Sequence, residues 1–463
     1  MIWAFEKAFP EYVNFIDCPD VNASGIRRFT QSPVFGTFLT DYHFGNDYIS
    51  ATRTQKHDFL QLDGQTYTFQ TKRVTSLNDT DRYVIPTGVT HHPENWCGDP
   101  AGFYRVQNVH DVNKRNLFHY LHPRYLRDLQ QQRAFLLLDQ THEGYQTEWL
   151  WGWFHYHLER YQIPATQIIY ITGNMKSREQ YERWCEVQHI RTRMYVVRFP
   201  IFERMIYMTA LYREKDQGLP PLPTLDEQIQ FKTQHLEDIR AFNILQKRLR
   251  RHRMWFYKLL SDHDLLRDAI VSMNKFTGHD TRYNGREMTQ DDIERLNQNL
   301  PLVPPQYFSR DPYLIDFTSD PGEPYQKEMS EDIILRTWVS VISEASFGDD
   351  EHTCFISEKT FKNFATCHPF YIMGNRYSLE VLREMGYQTF SPYIDESYDR
   401  YSTWERFDAI IESMKRFSLK TPNEKLFGFL GLQEILRENQ ENLKRNVKQF
   451  PSVLADMFKY IGE

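Results

Sequence analysis

Apolar runs alternate with helix-period segments over two long stretches of the chain. In the first, Ala134 to Leu138 is continuously apolar and ends in Asp139-Gln140-Thr141-His142-Glu143-Gly144. A helical segment with Trp149, Trp153, Tyr156 and Leu158 follows, then a second run from Gln167 to Thr172 ending at Gly173-Asn174. Ser177 with Gln180 reads as a capping box for a helix carrying Tyr181, Trp184 and Cys185, and Met194 to Phe199 is a third run. Strands covered on both faces are apolar throughout, and strands alternating with helices build a parallel sheet.

The second stretch repeats the pattern. Ala241 to Leu245 and Ala269 to Ser272 read as strands, and Glu331 to Glu344 as a helix followed by a strand ending at Ser343-Glu344. Cys354 to Ile356 suits a strand end, and Ser357 caps the helix after it. Pro369 to Gly374 is a strand, and Ser378 caps a helix with Leu379, Leu382 and Met385 on one face, stopped by Gly386. Tyr387 to Phe390 reads as a returning strand and Asp395 to Asp399 as an acidic turn. From Glu405 to Phe458 the period is helical, with Ile410, Ile411, Met414 and Phe417 on one face.

Both stretches predict an α/β fold with two Rossmann-like sheets. The proline-rich connector Leu219 to Thr224 favours stiff, extended backbone and marks the boundary. The expected domains are 1–220, 236–430, and helices over 431–463 that pack back across the seam. Residues 1 to about 130 are turn-rich, with a hairpin expected around Asp63-Gly64. Residues 275–328 read as a polar, irregular insertion.

Composition narrows the class. With 463 residues the chain can bury two cores, and 40% hydrophobic with 25% charged residues is the balance of a soluble globular protein. A net charge of −7 argues against coating nucleic acid by bulk charge and leaves a local basic groove open. The five cysteines lack metal-site spacing, so reduced, buried thiols are expected. No segment approaches the roughly 20 apolar residues of a membrane span, and the first residues carry Glu6, Lys7, Glu11 and Asp17 rather than a leader pattern. The expected location is the cytoplasm.

In parallel sheets ligands sit beyond the carboxyl ends of the strands. That puts Asp139, His142 and Glu143 on the rim of the first domain. A carboxylate there, its pKa lifted by burial, could act as general base toward a hydroxyl; Glu143 is preferred, with Asp139 and His142 beside it. A helix-capping Asp and a solvated Glu are the competing assignment. Asp79-Thr80-Asp81 has the form of a metal–nucleotide triplet, but no apolar strand precedes it and it reads as a turn. His91-His92 with Cys97 reads as loop.

In the second domain, the basic run from Lys247 to Arg253 lies between a strand and a helix start, which suits phosphate through Lys247, Arg250 and Arg253. A solvated turn or contacts to nucleic-acid phosphates would use the same residues. Ser357, Glu358, Lys359 and Lys362 open another helix, whose N-terminus favours anions. Glu358 could accept bonds from paired hydroxyls, such as those of a ribose. Ordinary capped, solvated helices open the same way.

The run FISEKTFKNFATCHPFYIMGNRYSLEVLREMGYQTFSPYIDESYD resembles the donor-binding half of certain GT-B glycosyltransferases. It is similar to the fucosyltransferase-like group and, more closely, to glycosyltransferases encoded by phage and bacterial genomes. The similarity lies in the ordered series Glu-Lys, Pro-Phe, Leu-x-x-Leu-Arg, Gly-aromatic and Asp-Glu-Ser-Tyr-Asp. The resemblance implies two Rossmann-like domains facing a cleft, with a C-terminal helix crossing back. It implies transfer of a sugar from a nucleotide-diphosphate donor to an acceptor hydroxyl, with no metal or cofactor required. Glu358 would then bind the ribose, while Lys359 or Lys362 with the 247–253 loop would hold the diphosphate and neutralise its leaving charge. The chain departs from the membrane-anchored secretory fucosyltransferases in lacking an anchor segment. For the acceptor, phage relatives imply modified-base (hydroxymethyl-pyrimidine) DNA; a glycan or a virion protein are alternatives. A non-catalytic virion or binding protein on a degenerate GT-B fold is the reading from a different class.

Overall fold

Each of the two stretches forms its own parallel sheet in the computed structural model, which describes residues 2–4, 56–62, 65–72, 77–88, 118, 121, 123–141, 144, 149–211, 221–246, 250–273, 281–298, 331–350 and 352–462. The chain divides into two compact units, one of residues 1–201 with 449–463 and one of residues 202–448. The proline-rich connector lies within the second unit's span. Its last residue, Thr224, forms a capping box with Glu227 that starts the helix after it.

The first unit holds a seven-stranded sheet. Its strands are β1 (Ile2–Ala4), β2 (Lys56–Leu62), β3 (Gln65–Lys72), β4 (Tyr83–Gly88), β5 (Ala134–Gln140), β6 (Ile168–Thr172) and β7 (Tyr195–Arg198). They lie in the order β2-β3-β1-β4-β5-β6-β7. All neighbours are parallel except the β2–β3 hairpin, whose register runs from Lys56–Gln70 to Leu62–Gln65. Asp63 and Gly64 lie outside the described residues. Helices α1 (Pro123–Gln130), α2 (Trp149–Arg160) and α3 (Ser177–Val187) connect β4 to β7. The core packs Leu136, Leu138 and Tyr170 against Trp151, Trp153 and Tyr181. α3 starts without the predicted capping box: its N-cap is Lys176, and the Ser177 hydroxyl donates to the Asn174 carbonyl instead.

The second unit holds a four-stranded, wholly parallel sheet. Helix α4 (Ile201–Leu211) precedes α5 (Leu225–Gln234), β8 (Arg240–Leu245), α6 (Arg251–Asp262) and β9 (Ala269–Ser272). The 275–328 region is less irregular than its composition suggests. It contains a two-stranded hairpin, β10 (Arg282–Tyr283) and β11 (Arg286–Glu287), turned at Gly285 with φ 81°, and α7 (Gln290–Gln298), which buries Ile293 and Leu296. Then come α8 (Glu331–Leu335), β12 (Thr337–Ser343), α9 (Glu358–Ala365), β13 (Phe370–Met373) and α10 (Ser378–Glu384). α11 (Thr403–Ser418), α12 (Pro422–Gly431) and α13 (Gln433–Gly462) close the chain. The strand order is β13-β12-β8-β9.

Two expected strands are absent. Tyr387–Phe390 is irregular because side chains satisfy its amides: Gln388 N–H donates to Asn439 at 2.8 Å and Phe390 N–H to Glu396 at 2.5 Å. Near Cys354–Ile356 only Phe355 makes a bridge. Gly386 does end α10, with φ 85°. The end of α13 belongs to the first unit, where Tyr460 stacks on Tyr195 at 4.4 Å and its hydroxyl donates to the Thr166 carbonyl.

The second unit's core is tied by a buried lysine, whose amine burial holds well below its usual pKa. Lys232 of α5 donates to the carbonyls of Ile334 (2.8 Å), Leu335 (3.0 Å) and Thr337 (2.5 Å), where α8 ends and β12 begins. A helix C-terminus carries partial negative charge, and its last carbonyls need donors. Lys232→Met keeps the apolar stem and strips all three donors. At about 1–3 kcal/mol for a buried unsatisfied group, the variant is expected to lose roughly 3 kcal/mol or more of stability. Urea unfolding followed by circular dichroism checks it; a midpoint equal to wild type would refute the role.

Candidate functional site

In the strand order β13-β12-β8-β9, the chain runs outward from β8 to β9 and then returns to place β12 on the other side of β8. The switch point therefore lies between β8 and β12. Loops leaving the carboxyl ends of two such strands diverge to opposite faces and open a crevice. The aromatic contacts agree. On β13, Phe370 packs against Phe364 of α9, whereas its neighbour Tyr371 packs toward Phe242 and bonds Ser413 of α11. α6 joins the α11 face through Phe256–Phe407 and Trp255–Trp404.

Both stretches singled out by sequence converge on the end of β12. Arg253, in the first turn of α6, is buried and donates to the Ser343 hydroxyl (3.1 Å) and to the carbonyls of Ser343 (2.8 Å) and Glu344 (3.0 Å). This guanidinium is held by the strand end, so Arg253 differs from the solvent-facing phosphate contact expected of it. Beside it His252 stacks on Phe347 and contacts the Glu344 carbonyl, and burial, with Arg253 next to it, keeps its imidazole pKa well below the usual value. Arg250 is the N-cap of α6, exposed, and gives the helix no side-chain cap. Lys247 lies outside the described residues.

From the other side comes α9. The Ser357 side chain accepts from the Lys359 N–H, the N-cap role read from the sequence. Its own N–H (3.2 Å) and hydroxyl donate to the Glu344 carboxylate, which also accepts from Thr360 at 2.6 Å. Glu344 is fully buried. A side chain of this protein thus occupies the anion position at the start of α9, and Ser357 turns its polar groups inward.

Also at the start of α9 are the buried Glu358 and the partly exposed Lys359, whose side chains meet at 2.7 Å. Burial opposes the Glu358 charge, but Lys359 and Lys362 outweigh it and hold the carboxyl below its usual range. Lys359 keeps 29% side-chain exposure, so its ammonium can reach a ligand. At the end of β8, Gln246 is 3% exposed, and among the described residues neither of its carboxamide heteroatoms has a partner. Such a group costs about 1–3 kcal/mol unless something bonds it.

The surrounding loops are fixed by a buried guanidinium. Arg406 of α11 donates to the carbonyls of Gly374 (2.6 Å) and Gly348 (3.2 Å) and pairs with Asp349 at 2.9 Å, fastening the segments after β12 and β13. The acidic turn is also structural: Asp399 accepts from the Leu379 and Glu380 amides at the start of α10, and Glu396 holds Thr389, Phe390 and Arg383.

In the first unit, Asp139 is the penultimate residue of β5, paired with Gly88 of β4 and Ile171 of β6. His142 and Glu143 lie outside the described residues. That sheet's switch point falls between β1 and β4, so β5 stands one strand away from it. Asp79-Thr80-Asp81 is a turn, with Asp81 accepting from Asn78 N–H and Asp79 beside Arg124 and Arg133. His91, His92 and Cys97 lie outside the described residues. Among those described, no three His, Cys, Asp or Glu side chains are grouped to hold a metal, Cys185, Cys354 and Cys367 are buried and form no disulfide, and no helix is long and apolar enough to cross a membrane.

Sequence reading missed Glu344 and Gln246 as site residues. Each is a polar residue directly after the last residue of a strand, β12 or β8, which is the available signal. Their importance depends on which strands are neighbours.

No protein-family model and no curated protein matches this chain. Among solved structures it is similar to a trehalose-6-phosphate synthase, OtsA, with 11% identity over 71% of this chain and 77% of that one, and a TM-score of 0.30. It is also similar to an alpha,alpha-trehalose-phosphate synthase (UDP-forming) from Burkholderia vietnamiensis, with 10% identity over 84% and 87% of the chains and a TM-score of 0.34. Overlaps of this size carry no argument about this chain.

Proposed function

We propose that the chain is a glycosyltransferase that takes a sugar from a nucleotide-diphosphate donor. The observation that carries this reading is the ionised Glu358–Lys359 pair at the start of α9, on the carboxyl edge of a parallel sheet at its switch point. A carboxylate beside an ammonium matches the two ends of a nucleoside diphosphate. The carboxylate accepts from the ribose hydroxyls; the ammonium offsets the diphosphate charge, which grows as the sugar leaves. Lys362 and Arg250 add positive charge at the same edge, with Lys247 three residues before Arg250 in the sequence, and the Gln246 carboxamide offers a donor and an acceptor. Arg253 acts one step back, holding the strand end that carries Glu344. Ser357 acts with Glu344 to set the start of α9.

The acceptor hydroxyl belongs to the first unit in this reading, with Glu143, Asp139 or His142 as base; a modified DNA base, a glycan and a protein each present such a hydroxyl. The reaction replaces the anomeric carbon–phosphate oxygen bond by a bond to the acceptor oxygen. The acceptor proton passes to the base and the nucleoside diphosphate leaves.

A thermal-shift screen against UDP-, GDP-, CMP- and dTDP-sugars tests donor binding, because a ligand that binds only the folded state raises its melting temperature. At a hundred times Kd the gain is about 2.7 kcal/mol, a rise of several degrees. A flat response to all four would leave a non-catalytic role.

A further inference from the structure

One buried carboxylate has no part in the site described above. Glu203 of α4 is 1% exposed. Its Oε1 accepts from the Tyr387 hydroxyl and from the Asn446 side-chain amide at 2.7 Å. Asn446, on α13, also donates to the Met385 carbonyl at 3.1 Å, just beyond α10. The Tyr387 ring lies face to face on Phe364 of α9, with centroids 3.9 Å apart and planes 5° from parallel, and it touches Phe361 as well. The chain of contacts runs from Glu203 through Tyr387 to the helix whose first turn carries Glu358 and Lys359.

We propose that Glu203 is a positioning residue which, through Tyr387 and Phe364, sets α9 and makes the placement of its first turn depend on the carboxyl's ionisation. The proposal rests on the donor-site reading only for its consequence on ligand binding; the coupling to α9 stands on the contacts themselves.

The physical basis is the lack of a counter-charge. Among the described residues, the groups facing Glu203 are Tyr387, from the segment after α10, and Asn446, from α13, and neither is a cation. Burial pushes the Glu203 carboxyl up to about 7, although the hydrogen bonds from Tyr387 and Asn446 pull it down. The same carboxylate, together with burial, raises the Tyr387 hydroxyl well above its usual range, so Tyr387 stays protonated and keeps donating.

The sign follows from linkage. A carboxyl whose folded pKa lies above its unfolded value holds its proton in the fold while the opened state has lost it. The stabilisation is therefore complete below the unfolded value and is lost as pH rises through the folded one. Opening of the cluster should become easier between about pH 5.5 and pH 8, and α9 should feel it through the stacked pair.

Amide hydrogen exchange on the full chain, corrected for intrinsic rates, reads this directly. In wild type the protection of Glu358–Ala365 is expected to fall at least about threefold from pH 5.5 to pH 8. Glu203→Gln, which keeps the shape and the acceptor, is expected to keep that protection constant. Tyr387→Phe, which keeps the Phe364 stack and removes the hydroxyl, is expected to lose the pH dependence too. A pH-independent α9 in wild type, or wild-type pH dependence in Glu203→Gln, would overturn the proposal. A parallel titration with UDP and GDP keeps the two readings apart. Failure of either nucleotide to bind wild type counts against the donor site, while the exchange result still decides the coupling.

Discussion

Lys359→Ala is expected to lower sugar transfer by about a hundredfold or more, beyond what its effect on folding accounts for. The loss of a single preorganised group that stabilises developing negative charge costs roughly 10²–10³ in turnover. Lys359 has the features such a group needs: it sits at the start of α9, it is partly exposed, and its ammonium lies 2.7 Å from Glu358. Because Glu358 is 8% exposed, removing its closest cation also costs stability, about 1–3 kcal/mol, with Lys362 left to offset part of the charge. Glu358→Gln is expected to act differently, raising KM for the donor about tenfold or more, because a neutral amide is a weaker acceptor for two hydroxyls.

The acid side offers a second readout. Lys359 and Lys362 hold the Glu358 carboxyl below its usual range despite burial. Its contribution to stability is therefore present above the unfolded carboxyl value and lost as pH falls through the folded one. Lys359→Ala should shrink that acid-side loss. Steady-state kinetics on the purified variants decide the matter, and wild-type turnover in Lys359→Ala together with a wild-type donor KM in Glu358→Gln would remove this pair from the site.

Glu344→Ala is expected to be the most damaging single change in the second sheet. The fully buried carboxylate accepts from the Ser357 amide and hydroxyl and from Thr360, thirteen to sixteen residues further along the chain. Removing it leaves three buried donors without a partner, and hydrogen bonds to charged groups are worth about 1.5–3 kcal/mol each. A loss of roughly 3–5 kcal/mol follows, enough to unfold much of a marginally stable unit. Glu344→Gln, which keeps an acceptor in place, should recover a good part of it. Denaturant midpoints for the pair measure the difference, and an alanine variant within about 0.5 kcal/mol of wild type would show that the carboxylate does not hold the start of α9.

Strands β5, β6 and β13 were legible because a strand covered on two faces is apolar along its middle, whereas β1 and β4 of the first sheet were not read from the sequence. Leu136–Leu138, Ile168–Ile171 and Phe370–Met373 carry that mark, and each is buried along its length. Gly386 was legible for a similar reason, since its positive φ suits glycine and ends α10. The acidic turn was visible as composition, but its roles were not. Asp399 caps a helix that begins twenty-one residues earlier in the chain, and Glu396 takes the Phe390 amide, which turns an expected strand into an irregular segment.

The sequence by itself determined β5 to β7 of the first sheet, the parallel strands of the second, the glycine-terminated helix α10 and the charged opening of α9, because periodicity, backbone restriction and capping act over a few residues. The tertiary structure decided that the 246–253 and 357–362 stretches meet at the end of β12, that Arg253 and Ser357 turn inward, and that Glu344 occupies the helix start. Strand order produces those outcomes, and strand order depends on which faces bury together across a hundred residues. A side chain's charge can be read from the sequence, but whether that charge meets a ligand or the protein's own backbone depends on the neighbours that packing supplies.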